Sequence, residues 1–178
     1  MSGAPTLVGV QARFSKVNEH RRTVQLAWSD GFTATMPQYN HVLRFPHDLE
    51  HYIVDAVLRP RYGFWELAAA KAPFASLTPC RPWPREEREW FAKVLRQHRD
   101  EMVEAERLTG LLPGQCLSWC EAHQVLRAAW TERPGSPRPE LTAAGYRRIT
   151  ELHEQIRGAW EELPEGDHLT VIWPPPPW

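Results

Sequence analysis

Short segments in which apolar and polar residues alternate occupy the first quarter of the chain. They cover residues 7–15, 22–28 and 32–37. In the second segment Val24, Leu26 and Trp28 fall on one side of an extended chain, and Thr, Gln and Ala fall on the other side. Alternation over this length is typical of strands that bury one face. The pattern therefore predicts an antiparallel meander within residues 1–45.

Helical spacing of apolar residues replaces this alternation after Pro46. A proline fits the first turn of a helix, and Pro60 would end that helix near residue 58. Further helices are predicted over residues 63–70, 85–109, 115–131 and 140–163. Two proline-rich stretches, 78–84 and 133–139, cannot continue a helix and are predicted to be connectors.

Alternation returns once, at residues 168–173, and predicts a strand at the edge or in the middle of the N-terminal sheet. The fold class is therefore α+β, a small antiparallel sheet covered by a layer of four to five helices. A chain of 178 residues has the length of one domain, so we expect a single domain over 1–178. Its parts are the meander 1–45, the helical layer 46–163, the returning strand 168–173 and a Pro-Trp tail 174–178.

Composition narrows the class of protein. Hydrophobic residues make up 42% and charged residues 24%, as in globular proteins, and the net charge of -1 provides no field for nucleic acid. No apolar stretch has the length of a membrane span, so we expect no membrane partner. Three cysteines are too few for a disulfide framework, which favours the cytoplasm. Arginine greatly outnumbers lysine, a skew that suggests a GC-rich bacterial genome.

The most informative residues lie on the first predicted helix. His47, His51 and Asp55 are spaced by four residues and therefore form one row on a helix. Imidazole and carboxylate ligands suit a divalent metal, with zinc favoured and iron or manganese as alternatives. Three protein ligands would leave positions open for water and a small-molecule substrate, so we expect a metal-dependent hydrolase or lyase.

Two carboxylates flank this row. Asp48 and Glu50 can each orient an imidazole through its second ring nitrogen or act as the general base, with Asp48 slightly favoured as the base. His98 and His153 are candidates for further ligands.

The run HDLEH resembles two zinc-peptidase patterns, HExxH with Asp48 in place of Glu and HxxEH with Glu50 as the base. Its HDxxH part also resembles the zinc motif of a family of ubiquinone-biosynthesis proteins. In that family a glutamate follows the second histidine by twelve residues, where this chain has Gly63. Glu66 and Asp55 are the carboxylates that can take its place.

A longer resemblance spans roughly residues 20–75. It is to an uncharacterised family of small bacterial proteins with a PHDLxH segment, a following acidic residue and Gly-Phe-Trp. Those features are here Pro46–His51, Asp55 and Gly63-Phe64-Trp65. The resemblance implies a site at this segment and names no reaction.

Other interpretations stay open. Histidines four apart also occur as hydrogen-bonded structural residues between layers, which would make the protein a non-catalytic binding or adaptor protein. Its polyproline tail could then meet a protein partner. Cys116, Cys120 and His123 resemble half of a zinc site, although packing explains such cysteines more often. Nine tryptophans suit core or interlayer packing, as at Trp28, Trp90, Trp130 and Trp160, with Trp65 near the site.

Overall fold

The structure, a computed structural model, describes residues 9–18, 21–38, 45–111, 118–132 and 137–174. It contains one antiparallel sheet with the strand order β4-β3-β2-β1-β5. The strands are β1 Val10–Lys16, β2 Arg22–Trp28, β3 Thr33–Gln38, β4 Thr78–Pro79 and β5 His168–Trp173. The predicted α+β architecture is confirmed.

The C-terminal strand lies at an edge of the sheet, beside β1. Ala12 faces Leu26 of β2 on one side and Val171 of β5 on the other. The opposite edge is β4, a two-residue strand that pairs with β3 through Thr78 and Pro79. This strand lies within the stretch that we predicted to be only a connector. Proline is tolerated there because an edge strand has one side without partners.

The helices follow the predicted order. They are α1 His47–Leu58, α2 Phe64–Ala69, α3 Arg85–Arg107, α4 Trp119–Ala129 and α5 Ala143–Glu162. A short 3-10 helix, Leu108–Leu111, continues α3. The backbone of His98 departs from helical geometry and kinks α3 at its middle. Cys116, residues 133–136 of the second connector, and residues 175–178 of the tail lie outside the described part.

The core lies between the sheet and the helices. Helix α1 is buried on both faces, since Leu49 and Ile53 are inaccessible and Val54, on the opposite side of the helix, is nearly so. Trp28, Trp130 and Trp160 are buried, whereas Trp90 is 38% exposed and the packing role predicted for it is wrong. Trp90 lies on α3, and most residues of this helix are exposed to solvent.

None of the described helices combines the length and the apolar character that a membrane crossing requires.

Candidate metal centre

Two histidines of α1 and one glutamate of α3 converge at the contact between these helices. Nε2 of His47 and Nε2 of His51 are 3.2 Å apart. Oε1 of Glu106 is 2.9 Å from Nε2 of His47, and Oε2 is 3.1 Å from Nε2 of His51. His47, His51 and Glu106 each offer a ligand atom, and these atoms all lie within 4.8 Å of one another. This group could hold a metal ion.

Local structure explains why the three side chains meet. The histidines are one helical turn apart, so their rings lie on the same face of α1, with centroids 4.6 Å apart. Glu106 is the penultimate residue of α3. The 3-10 helix that follows contributes Leu108 and Leu111, both inaccessible to solvent, and so anchors this end of α3 in the core. The carboxylate is thereby held opposite the imidazoles.

The spacing of the donor atoms suits a small divalent ion. Tetrahedral zinc with bonds of about 2.0–2.1 Å to nitrogen places its ligand atoms roughly 3.3 Å apart. The two Nε2 atoms are 3.2 Å apart, near that value, and each lies 2.9 or 3.1 Å from a different oxygen of Glu106. The His51 side chain is 4% exposed and that of Glu106 is 59% exposed, so the group is closed on the protein side and open towards solvent.

Glu50 bonds to the other nitrogen of the His47 ring. Its Oε2 lies 2.6 Å from Nδ1 of His47, the distance of a strong charge-assisted hydrogen bond. Glu106 first, and then Glu50, raise the pKa of His47 to about 10. His47 and His51 in turn lower the pKa of Glu106 well below its usual range. Donation of Nδ1–H to Glu50 would leave Nε2 free to bind a metal, so the geometry favours Glu50 as an orienting group.

Asp48 lies beside the group on the buried side of α1. Burial raises the pKa of its carboxyl to about 6, against the opposing effect of His51 and His47. A carboxylate with a pKa near neutrality is suited to accept a proton under physiological conditions.

The structure does not bring Asp55 into the group of ligand atoms. Its Oδ2 accepts a hydrogen bond from the backbone N–H of Trp65, at 3.1 Å, in the first turn of α2. Gly63 packs against the same oxygen, since a Cβ there would lie 2.7 Å from it. The carboxylate of Asp55 thus faces α2, and the lack of space explains why Gly63 carries no side chain.

The other candidate ligands have different partners. His98 stacks on Tyr62, with centroids 4.1 Å apart, and its Nδ1 lies 2.7 Å from Glu101. His153 contacts Phe45, and burial lowers the pKa of its imidazole. Glu66 pairs with Arg59 at 3.4 Å. None of these three belongs to the cluster that the described residues form around His47.

Of the residues that resemble half of a zinc site, Cys120 and His123 belong to the described part of the chain and Cys116 does not. Cys80 and Cys120 are both exposed. Thr33 donates its backbone N–H to Sγ of Cys80 at 3.4 Å, and the ring of His123 packs edge-on against Trp119.

Burial of Asp55 predicts a pH dependence for the metal-free protein. Because burial raises the pKa of this carboxyl from 3.8 to about 7, the folded protein holds the proton more tightly than the unfolded chain does. Its contribution to stability is therefore complete below pH 3.8 and lost as the pH rises through about 7. The titration of Asp55 should cost the wild type up to roughly 4 kcal/mol of its free energy of unfolding as the pH rises over this range. Asp55→Asn should not show this part of the loss, because asparagine does not titrate.

Urea unfolding curves of the wild type and of Asp55→Asn across this pH range check the prediction. Parallel pH profiles for the two proteins would contradict it, because the asparagine cannot titrate.

Comparisons with known proteins do not identify the chain. No protein-family model matches it, and neither a curated protein nor a solved structure matches it significantly. The resemblances based on the HDLEH and PHDLxH segments therefore stay predictions.

Proposed function

We propose that the protein binds one divalent metal ion through His47, His51 and Glu106 and uses it in a hydrolase-type or lyase-type reaction on a small molecule. The observation that carries this proposal is the convergence of both Nε2 atoms on the two carboxylate oxygens of Glu106. Two histidines and one glutamate are the ligand set of several catalytic zinc sites, which keep an open position. Zinc is the first choice; the same set also suits iron or manganese.

The two carboxylates next to the metal ligands, those of Asp48 and Glu50, then have separate roles in the reaction. A divalent cation bound by His47, His51 and Glu106 would supply Lewis acidity at this position. Asp48, within electrostatic range of both histidines, accepts a proton. Glu50 holds the His47 ring so that Nε2 faces the group. The near-neutral net charge argues against a nucleic-acid substrate, which leaves a small molecule as the proposed class.

Glu106→Gln tests the ligand set. The amide keeps the size of the side chain but is a much poorer metal ligand than a carboxylate. We expect the zinc affinity of metal-stripped protein, measured by competition with a chromogenic chelator, to fall at least about a hundredfold. Glu86→Gln, the same change at an exposed position of α3, is the matched control and should leave the affinity unchanged. Equal affinities of the two variants would exclude Glu106 as a ligand.

One observation favours a second function, that of a non-catalytic binding or adaptor protein. Both ring nitrogens of His47 already lie at hydrogen-bond distance from carboxylates, so a protonated His47 can join α1 to α3 without a metal. In that case Glu106→Gln should lower the free energy of unfolding by about 1 kcal/mol or less, as for exposed ion pairs, and should not change any affinity for zinc.

A further inference from the structure

Asp55 is buried more deeply than Asp48, and one of its two carboxylate oxygens has no hydrogen-bond partner among the described residues. The residue is 0% exposed. Its Oδ1 accepts no hydrogen bond from any of the described residues. A buried polar atom without a hydrogen bond costs free energy, and such atoms are rare in folded proteins. This oxygen therefore requires a function or a partner that forms in another state of the protein.

The carboxylate cannot easily turn towards a different neighbour. Trp65 donates its backbone N–H to Oδ2 at 3.1 Å. Gly63 packs closely against that oxygen, because a Cβ at Gly63 would lie 2.7 Å from Oδ2. With Oδ2 held in this way, the direction of Oδ1 is set by the contact between α1 and α2.

His51 lies one turn before Asp55 on the same face of α1. Side chains on a helix tilt towards its N-terminus, so the Asp55 carboxylate extends from its own Cα in the direction of the turn that carries His51. The ring is 5.7 Å from that of Phe64, the residue before Trp65. Nε2 of His51 faces Glu106, at 3.1 Å, and so Nδ1 occupies the other side of the ring. His51 thus contacts Phe64 of α2 and Asp55 contacts Trp65 of α2, so both residues lie at the contact between α1 and α2.

We propose that Asp55 is a positioning residue of the metal centre, whose Oδ1 accepts a hydrogen bond from Nδ1–H of His51 when Nε2 of His51 binds the metal. A metal-bound histidine usually donates its second N–H to a carboxylate or a carbonyl, which fixes its tautomer and its orientation. Glu50 has the same relation to His47. The inference rests on the proposed metal site, and it turns the third member of the predicted ligand row into a supporting residue.

Ring NMR of the zinc-loaded protein tests this role directly. We expect long-range proton–nitrogen spectra, after one equivalent of zinc is added, to show a protonated Nδ1 on His51 with a downfield, slowly exchanging proton. In Asp55→Asn that proton should shift upfield, and zinc affinity should fall about 10–100-fold. The control is Asp100→Asn, an exposed aspartate on α3, which should match the wild type.

The possible failures are distinguishable. A wild type that takes up no zinc overturns the proposed function, and this inference with it. Two other results would show that only the positioning role is wrong. In the first, the wild type binds zinc through Nδ1 of His51. In the second, the wild type binds zinc, but Asp55→Asn changes neither the ring proton of His51 nor the zinc affinity. If Asp55→Asn does not fold, the spectrum of the zinc-loaded wild type still tests the positioning role, because this spectrum shows which nitrogen of His51 carries the proton.

Discussion

Replacing both histidines of α1 with alanine should weaken zinc binding at least about a thousandfold while the fold persists. His47 and His51 supply two of the three ligand atoms, and Glu106 alone cannot hold a metal against water. The substitutions leave the apolar residues of α1 in place, among them Leu49 and Ile53, which carry its packing. Competition with a chromogenic chelator gives the two affinities, and circular dichroism checks the fold.

His168→Ala is the matched control for this experiment. His168 is an exposed histidine on β5 that neighbours Asp167 and lies outside the ligand cluster. Its loss should leave zinc affinity at the wild-type value. If the double variant binds zinc as tightly as His168→Ala does, the metal is held elsewhere and the proposed centre is wrong.

Trp65→Ala should lower the free energy of unfolding by about 3–5 kcal/mol, the range for truncating a buried aromatic residue. The side chain is 0% exposed. Its ring lies 5.4 Å from Tyr52 and 6.2 Å from Trp173, between α1 and the edge strand. The indole N–H also donates to the backbone oxygen of Asp48 at 3.0 Å, so truncation leaves a cavity and removes this hydrogen bond between α2 and α1.

Urea denaturation measures this loss against two further variants. Trp65→Phe keeps much of the ring and loses the indole hydrogen bond, so its destabilisation should be clearly smaller. Trp90→Ala makes the same truncation at a residue that is 38% exposed and should change stability by about 0.5 kcal/mol or less. A Trp65→Ala variant as stable as Trp90→Ala would contradict the packing described for α2.

Local patterns accounted for most of the fold. In β2, the alternation of Val24, Leu26 and Trp28 predicted a buried face, and all three are buried. Pro46 and Pro60 bracketed α1 within two residues of its ends, because proline limits where a helix can begin and continue. The pairing of β4 was missed, since a strand containing Pro79 depends on its neighbour β3 rather than on its own sequence.

The candidate site was predictable only where it lies within one helix. Spacing by four residues predicted that His47 and His51 lie side by side, and in the structure their Nε2 atoms are 3.2 Å apart. The same spacing predicted Asp55 as the third ligand, because the spacing of residues along one helix does not show whether a side chain contacts α3 or α2. Glu106 was missed because α3 is rich in carboxylates, and nothing local distinguishes the one that long-range packing places opposite the histidines.

Elemental analysis of the purified, untagged protein tests the central claim most directly, with His47→Ala/His51→Ala and Glu106→Gln prepared in parallel. We predict about one zinc, iron or manganese ion per wild-type chain, much less metal in Glu106→Gln, and no bound metal in the double variant. Wild-type protein that contains none of these metals, and takes up none when they are added, would contradict the metal centre and favour the hydrogen-bonded contact between α1 and α3.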